Sequence, residues 1–330
     1  MNYEELLEKH LEGKASLEDS VNLYLSTVSP ERWLSLLSAA SELRDKNLGR
    51  ELILAAHLGM ITPCVLNPPC AYCSASSKDY KIKQERELLS LEKLQQEVDN
   101  IKKMGVEFIH LVGGTNLLGF DELVKKAVMA VREVTDLPLE ISVGPSLSRD
   151  TMRWLKSNGV FRIVCSLETI NRVAFSEAKP GDNLDMRIDC MKAILEEGLE
   201  LKSIVMNGLG DYRDLIESIH FHKQFKNLTS ISISTFTPIK GTTWEGRAPA
   251  SVWDSLKALS ITRLLFPHAD IGLPFGGGEN LLPLTLMAGG GNVVMPVLID
   301  AAKRVERISS TKKYASSLGF NLGAHSTHNE

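Results

Sequence analysis

The sequence has no block of basic residues and little net charge. Its 330 residues include 37 lysines and arginines against 41 aspartates and glutamates, which gives a formal charge of −4. A protein whose main partner is nucleic acid needs a basic surface, so this balance argues against that role. The first residues, MNYEELLEKHLEG, contain no apolar core of the kind that secretory signals have, and we expect a cytoplasmic protein.

Long apolar runs are also scarce. The uncharged stretch from Asn280 to Ile299 has the length needed to cross a bilayer. It is interrupted by Pro283, Pro296 and the glycines at 289–291. This pattern is typical of a helix, a turn and a buried strand, so we expect no membrane association.

Cysteine is sparse, with five residues in the chain, and three of them lie close together. Cys64, Cys70 and Cys73 have the spacing Cys-x5-Cys-x2-Cys in the proline-containing segment MITPCVLNPPCAYCSAS (60–76). Thiolate is the usual protein ligand of iron–sulfur clusters and structural zinc, so the segment predicts a metal centre. A four-iron cluster here would have one iron without a local cysteine, whereas zinc would require a distant fourth ligand. A disulfide is disfavoured because no secretory signal is present.

Short apolar segments alternate with amphipathic helical patterns from about residue 50 onward. This alternation predicts an α/β fold with a parallel sheet covered by helices, and eight strands predict a closed (β/α)8 TIM barrel. Residues 1–50 are predicted to form a helical extension, with a capping box at Ser16 and Asp19 and a helix start at Ser29 before Pro30. Residues 51–318 form the predicted barrel, in which Ser90 starts a clear helical pattern, and residues 319–330 have the composition of a flexible tail. The strands are expected near 53–61, 107–112, 139–143, 161–167, 201–206, 230–236, 269–273 and 292–298.

Polar residues and glycines at the predicted strand ends are candidate ligand contacts, because chemistry in such barrels lies at the C-terminal ends of the strands. Glu168 would be costly to bury without a partner, which a ribose or an ammonium group would supply. The planar guanidinium of Arg187 suits a carboxylate, although an exposed helical arginine is an equally simple interpretation. Turn chemistry is the alternative explanation for the remaining candidates, which are Gly113, Gly114 and Thr115 after the second strand and Ser142 on the third.

The cysteine motif resembles the signature of the radical S-adenosylmethionine (radical SAM) family, Cys-x3-Cys-x-aromatic-Cys, with Tyr72 as the aromatic residue. The first spacing is five residues instead of three, which is similar to the HmdB-type branch associated with the iron-guanylylpyridinol cofactor of [Fe]-hydrogenase. The motif LET (167–169) and the segment from Ala178 to Asp211 resemble the biotin synthase-like group of the same family. The resemblance covers about residues 50–300.

The resemblance implies two cofactors, a [4Fe–4S] cluster and S-adenosylmethionine (SAM). Cys64, Cys70 and Cys73 would hold three irons, and the amino and carboxylate groups of SAM would bind the fourth. The cofactor contacts that the resemblance and the strand-end positions imply are Tyr72, Gly113, Gly114, Thr115, Ser142, Glu168, Arg187 and Gly208.

The resemblance also concerns the barrel interior. Biotin synthase carries a second cluster there, and the comparable places in this chain are expected to hold other residues, such as Ile141 and Ser203. The two cysteines outside the motif, Cys165 and Cys190, are expected to be small buried residues.

The implied function is reductive cleavage of SAM to methionine and a 5′-deoxyadenosyl radical, which removes hydrogen from a small-molecule substrate inside the barrel. An electron donor such as ferredoxin or flavodoxin would be a partner. By resemblance, the substrate belongs to the biosynthesis of the pyridinol part of the [Fe]-hydrogenase cofactor. Two alternatives remain open: another biotin synthase-like reaction, such as a carbon-skeleton rearrangement, and a non-catalytic, zinc-stabilised barrel that acts as an assembly scaffold.

Overall fold

Three helices precede the barrel. The computed structural model describes residues 2–84, 87–226, 228–272, 281–297 and 301–322. The three helices are α1 (Tyr3–Leu11), α2 (Leu17–Ser26) and α3 (Pro30–Leu48). Ser16 and Asp19 form the predicted capping box of α2, and Ser29 caps α3 ahead of Pro30.

Parallel strands form the centre of the molecule. They are β1 (Glu51–Gly59), β2 (Phe108–Val112), β3 (Leu139–Ser142), β4 (Val160–Val164), β5 (Glu200–Asn207), β6 (Leu228–Thr235), β7 (Asp270–Gly272), β8 (Val293–Val297) and β9 (Asn321–Leu322). Each strand from β1 to β6 pairs with the next one along the chain, and β8 pairs with the other side of β1. The predicted eight-stranded α/β architecture is therefore confirmed.

The remaining helices lie between the strands along the chain. They are α4 (Tyr80–Gln84), α5 (Leu91–Lys102), α6 (Asp121–Arg132), α7 (Arg149–Ser157), α8 (Arg172–Ala178), α9 (Leu184–Glu196), α10 (Tyr212–Phe221), α11 (Val252–Leu265), α12 (Leu282–Met287) and α13 (Ala301–Ser317). Ser90 caps α5 by accepting a hydrogen bond from the Lys93 amide, as the sequence predicts.

Contacts between β7 and β8 bring the two ends of the sheet together. The Gly291 amide donates to the Ile271 carbonyl (2.7 Å), and the Val293 amide donates to Oδ1 of Asp270 (3.1 Å). A Cβ atom on Gly291 would lie 1.9 Å from that oxygen, so only glycine fits there. The strands thus surround an interior.

The two faces of each strand serve different purposes. Ile141 packs in the core between strands and helices, and Oγ of Ser203 lies 2.8 Å from Nε2 of His222 in the helical layer. Glu140 instead contacts Lys202 of β5, although β4 lies between their strands, so both side chains face the interior. The prediction that Ile141 and Ser203 occupy interior places is wrong by one residue in each strand. Glu140 and Lys202 face the interior instead, and neither is a cysteine.

The uncharged stretch near the C-terminus contains α12 and β8, as predicted, while residues 280 and 298–299 lie outside the described residues. Within the part of the chain that the structure describes, no helix combines the length and apolar character of a membrane span. The predicted tail starts with ordered residues, because Asn321 and Leu322 pair with Glu51 and Leu52 of β1. Residues 323–330 lie outside the described residues.

Buried histidines make the fold sensitive to acid. Burial lowers the pKa of His222 from 6.5 to about 4. The unfolded chain therefore binds a proton between those values that the folded chain does not, and stability is lost as the pH falls through this window. Burial also lowers the pKa of His220 to about 4, so more than one group contributes.

We predict that His222→Gln reduces the pH dependence of unfolding. His222 alone should cost the native protein about 1 kcal/mol of unfolding free energy between pH 7.5 and pH 5.5. Urea unfolding at both pH values measures the difference. His268→Gln, on an exposed turn, is the control and should keep the full dependence. Equal pH dependence in the His222 variant and the native protein would contradict the prediction.

Candidate active site

The cysteine segment leaves the end of β1 and packs on the loop that follows β2. The Gly114 amide donates to the Thr62 carbonyl (2.8 Å), and the Val65 amide donates to the Thr115 carbonyl (3.0 Å). These backbone bonds place Cys64 at the C-terminal ends of the strands, as the sequence predicts. Cys64 is exposed there.

The paired glycines after β2 are required by this packing. A Cβ atom on Gly113 would lie 2.1 Å from Oγ1 of Thr62, and one on Gly114 would lie 2.2 Å from the Cys64 amide nitrogen. Both distances are far inside van der Waals contact. The glycines therefore allow the backbone of the cysteine segment to approach β2, and both also line the cavity described below.

We predict that Gly114→Ala displaces the cysteine segment and lowers metal loading. The added methyl group would collide with backbone atoms of Pro63 and Cys64, which cannot move aside as a side-chain end can. Iron and acid-labile sulfide per chain, measured after anaerobic reconstitution, should fall to a small fraction of the native content. Gly246→Ala is the control, since nothing lies within 4 Å of its added atom. Native iron content in Gly114→Ala would contradict the prediction.

Two further loops hold the segment from the opposite side. The Ala71 amide donates to the Ala178 carbonyl (2.8 Å), and the Ala71 carbonyl accepts from the Trp244 amide (2.9 Å). The Lys78 amide donates to the Gly241 carbonyl (2.9 Å). The segment is thus tied to the loops after β2, α8 and β6 by backbone hydrogen bonds.

A cavity of about 210 Å³ lies beside the segment. Gly208, a predicted contact, is not among its lining residues; its φ is +102°, and a Cβ there would press on Phe236 and Ala250. All other predicted site residues line this cavity: Cys64, Cys70, Tyr72, Cys73, Gly113, Gly114, Thr115, Ser142, Glu168 and Arg187.

The three thiols line this cavity. In the described residues, no three cysteine, histidine or carboxylate side chains lie close enough to hold a single metal ion. Burial raises the pKa of the Cys70 thiol to about 12, although Lys179 opposes the shift. A thiolate at Cys70 therefore needs a strong cationic partner, such as iron, to form at neutral pH.

Four buried charged side chains stand next to the thiols. Asp182 accepts from Nε (3.0 Å) and Nη2 (2.5 Å) of Arg187 and pairs with Nζ of Lys179 at 3.0 Å. Burial disfavours the Asp182 carboxylate, but Lys179 and Arg187 outweigh it and lower the pKa to about 2. Nη1 of Arg187 donates to the Ser166 carbonyl (2.8 Å). With Glu168 the group is electrically neutral and fixed in place.

Glu168 is the strained member of this group. Its φ is +67°, a conformation that costs a non-glycine residue on the order of 1–3 kcal/mol. Hydrogen bonds to the Ile204 carbonyl (2.7 Å) and from the Met206 amide (2.8 Å) hold it there. Its Oε1 lies 3.7 Å from Nζ of Lys179, and its buried Oε2 has no hydrogen-bond partner in the described residues. An orphaned carboxylate oxygen on a cavity wall indicates a ligand that donates to it.

Comparison with known proteins identifies the family. A sequence profile described as the radical SAM superfamily matches residues 60–222. Biotin synthase of Pelotomaculum thermopropionicum is 31% identical over 245 residues, which cover 72% of this chain and 75% of that enzyme. The chain belongs to the radical SAM superfamily. It is an enzyme, and its cofactors are a [4Fe–4S] cluster and SAM.

Other relatives agree with this assignment. An uncharacterised protein of Methanocaldococcus jannaschii is 28% identical over 285 residues, which cover 85% of this chain and 75% of that protein. The crystal structure of methylornithine synthase covers 96% of this chain and 97% of its own with a TM-score of 0.82 at 22% identity. This likeness shows a shared fold.

The residues around the cavity of this radical SAM enzyme fit both cofactors. Three thiols are the donor set that a four-iron cluster with one open iron requires. The orphaned oxygen of Glu168 suits an ammonium or hydroxyl donor, and such groups are present on SAM.

Sequence reasoning missed Lys179 and Asp182. Both are buried, with Lys179 4% exposed, and they lie in a turn, Lys-Pro-Gly-Asp, directly before the arginine-bearing helix α9. The guanidinium of Arg187, expected to suit a ligand carboxylate, already donates three of its five N–H groups within the protein. The turn was the available signal in the sequence. Lys179 and Asp182 lie on either side of Pro-Gly, and a tight turn there brings their side chains together.

The two cysteines outside the motif lie directly after β4 and on α9. Cys165 and Cys190 are both free and buried, which confirms the prediction. Sγ of Cys165 lies 3.4 Å from the Arg187 carbonyl and donates to it. The pair therefore supports the helix that carries Arg187.

Proposed function

We propose that Cys64, Cys70 and Cys73 bind three irons of the [4Fe–4S] cluster and that SAM occupies the adjoining cavity. The observation that supports this assignment best is that the three thiols and the orphaned oxygen of Glu168 line one cavity. The thiols supply anionic sulfur ligands, and the cavity supplies polar contacts for a zwitterion.

The side chains of the cavity divide the binding of SAM between them. Glu168 accepts hydrogen bonds from the ammonium group or the ribose, which gives its orphaned oxygen a partner. The remaining N–H groups of Arg187 and the ammonium of Lys179 face a carboxylate, and Asp182 keeps both cations in position. Ser142, at the end of β3, is a ribose contact.

When bound, the cluster supplies one electron to SAM, and cleavage yields methionine and a 5′-deoxyadenosyl radical. A reduced protein such as ferredoxin or flavodoxin is the proposed electron donor. The chain encloses the reaction, because the cysteine segment is tied to three loops over the C-terminal ends of the strands. Excluding water in this way protects a reactive radical.

We further propose that the substrate belongs to the biosynthesis of the pyridinol part of the [Fe]-hydrogenase cofactor. The support for this is the spacing Cys-x5-Cys-x2-Cys, two residues longer in its first interval than the common signature. The segment from Asn67 to Cys70 accommodates the extra residues, and Gly181 makes room for it, since a Cβ there would lie 2.1 Å from the Pro68 carbonyl.

One experiment tests the cluster assignment and the pathway assignment separately. Anaerobically reconstituted protein is assayed for iron, sulfide and zinc, and is then reduced in the presence of SAM. Iron and sulfide with production of 5′-deoxyadenosine support the cluster assignment, whereas zinc without sulfide contradicts it. Deuterated pyridinol precursors are then added. Deuterium in 5′-deoxyadenosine supports the pathway, and its absence with every precursor, while SAM is still cleaved, contradicts the pathway alone.

A further inference from the structure

A layer of charged side chains crosses the barrel interior directly below the cavity. Val112 and Ser142 line the cavity, and His110 and Glu140 stand two residues earlier on the same strands. Side chains two apart on a strand face the same way, so this layer lies about 7 Å farther toward the N-terminal ends of the strands. The cavity and the charged layer are therefore consecutive levels of one barrel.

His110 and Glu140 form a hydrogen-bonded dyad in this layer. Nδ1 of His110 contacts Oε1 of Glu140, and because a carboxylate only accepts, Nδ1 carries the proton. Burial disfavours the Glu140 carboxylate, but Lys202, His110 and Arg162 outweigh it and hold its pKa well below the usual range. Within the described residues Nε2 of His110 has no hydrogen-bond partner, and Glu140 fixes the orientation of the ring through Nδ1.

Lys202 reaches the same carboxylate oxygen. Its Nζ lies 3.3 Å from Oε1 of Glu140 and makes no other hydrogen bond within the described residues. An ammonium group has three N–H donors, so Lys202 has two to offer. Arg162 is held more firmly, because Nε and Nη2 donate to Glu200 and Nη1 donates to Glu140, which uses three of its five N–H groups.

Each cation of the layer lies against a carboxylate. Lys202 pairs with Glu140, and Arg162 pairs with Glu140 and Glu200. His110 and Lys202 are each 7% exposed, whereas Glu140 is 0% exposed, so the first two border space that water can enter. An anion alone would add an uncompensated charge to this interior, which is costly. An anion that arrives with one proton on Nε2 adds none.

We propose that His110 and Lys202 bind a carboxylate group of the substrate in the barrel interior. The ligand enters as an anion, Nε2 of His110 takes one proton from solvent, and the imidazolium and the Lys202 ammonium both donate to the carboxylate. Glu140 holds both cations in place. This inference rests on the proposed function only in naming the anion as part of the substrate of the radical reaction.

The proposal predicts a pH dependence. The titratable or charged groups that face His110 are His57 of β1, stacked on it at 5.1 Å, Glu140, Arg162 and Lys202; Asp270 of β7 acts on Arg162. Loss of the imidazolium proton removes one of the two cationic partners. Affinity for the anion should therefore fall by up to about tenfold per pH unit once that proton is lost.

Acetate and acetamide are the matched probes, since they share a shape and differ in charge. Saturation-transfer NMR of the reconstituted protein gives their affinities. We expect acetate to bind and acetamide to bind much more weakly. In Lys202→Met, acetate should bind about ten- to a hundredfold more weakly, because one charge-assisted hydrogen bond is lost. The control is Lys192→Met, whose exposed ammonium also lies 3.3 Å from a carboxylate oxygen, that of Asp189. Equal acetate affinity in Lys202→Met and native protein would overturn the proposal.

A measurement on the native protein guards against misfolding of the variant. With 15N-labelled histidine, acetate should move one Nε2 signal toward that of a protonated nitrogen, and acetamide should not. If none of the eight histidines responds to saturating acetate, the proposal is wrong. Neither measurement uses radical chemistry. Acetate binding in a protein that fails to cleave SAM would count against the proposed function alone, and SAM cleavage without acetate binding would count against this inference alone.

Discussion

Replacing Cys64, Cys70 or Cys73 with alanine is expected to reduce SAM cleavage to background and to leave the barrel folded. Each replacement leaves two thiolates, which is one fewer than a four-iron cluster with a single open iron requires. The cysteine segment is bound to its neighbours through backbone hydrogen bonds, and these do not depend on the thiols. Iron content, 5′-deoxyadenosine production and thermal unfolding of each variant measure the three parts of this expectation.

The control for the cysteine variants is Cys190→Ala. Cys190 is buried on α9 and is not among the residues that line the cavity. Its replacement removes a sulfur atom and some packing, so it should lower stability but retain iron and SAM cleavage. Normal cleavage in any one of the three loop variants would remove that cysteine from the ligand set.

Local patterns were enough to predict the architecture. Apolar segments of strand length, separated by capped amphipathic helices, gave strand positions within a few residues of those observed. Ser16, Ser29 and Ser90 marked helix starts because a hydroxyl that accepts a backbone N–H is a local device. The short helices α4, α8 and α12 were not delimited, since each has too few turns to show a period.

The face of each strand was harder to predict than its position. Ile141 and Ser203 were expected inside the barrel, and Glu140 and Lys202 occupy those places. Side chains on a strand alternate, so an error of one residue moves the whole set to the other face. The buried ion pair between Glu140 of β3 and Lys202 of β5 shows which side chains face the interior. The sequence does not reveal that these two residues are close in space.

Part of the candidate site could be predicted from the sequence because its residues lie at strand ends. In a parallel barrel all strand ends meet at one mouth, so residues such as Ser142 and Glu168 could be grouped without a structure. What remained hidden were partners chosen by tertiary contact. Asp182 forms an ion pair with the guanidinium of Arg187, and a Cβ atom on Gly208 would contact Phe236. The Gly208 contact has no local pattern, whereas the turn before α9 was the one local sign of the Asp182 pairing.

Glu168 and Arg187 are expected to contribute differently to SAM binding, which allows their roles to be separated. Glu168→Gln keeps the shape of the side chain and removes its charge. A charged hydrogen bond contributes roughly 1.5–3 kcal/mol, so the affinity for SAM should fall by about ten- to a hundredfold. The free protein should lose little stability, because the native Oε2 is buried without a partner and Lys179, 3.7 Å from Oε1, keeps its closer pair with Asp182. Glu177→Gln, on the exposed face of α8, is the control.

Arg187→Ala should lower both stability and SAM affinity. Asp182 has no exposed side-chain area and would keep Lys179 as its single cationic partner, and breaking a buried pair in this way is strongly destabilising. Arg187→Lys should restore part of the stability but not the affinity, because a point charge cannot hold Asp182 and a second carboxylate with the geometry of a guanidinium. SAM titration by calorimetry and thermal unfolding of reconstituted variants measure the two effects. Neither residue is a proposed iron ligand, so the cluster spectrum should be native in the Glu168 and Arg187 variants. Unchanged SAM affinity in Glu168→Gln with an intact cluster would show that the carboxylate of Glu168 serves the fold and not the ligand.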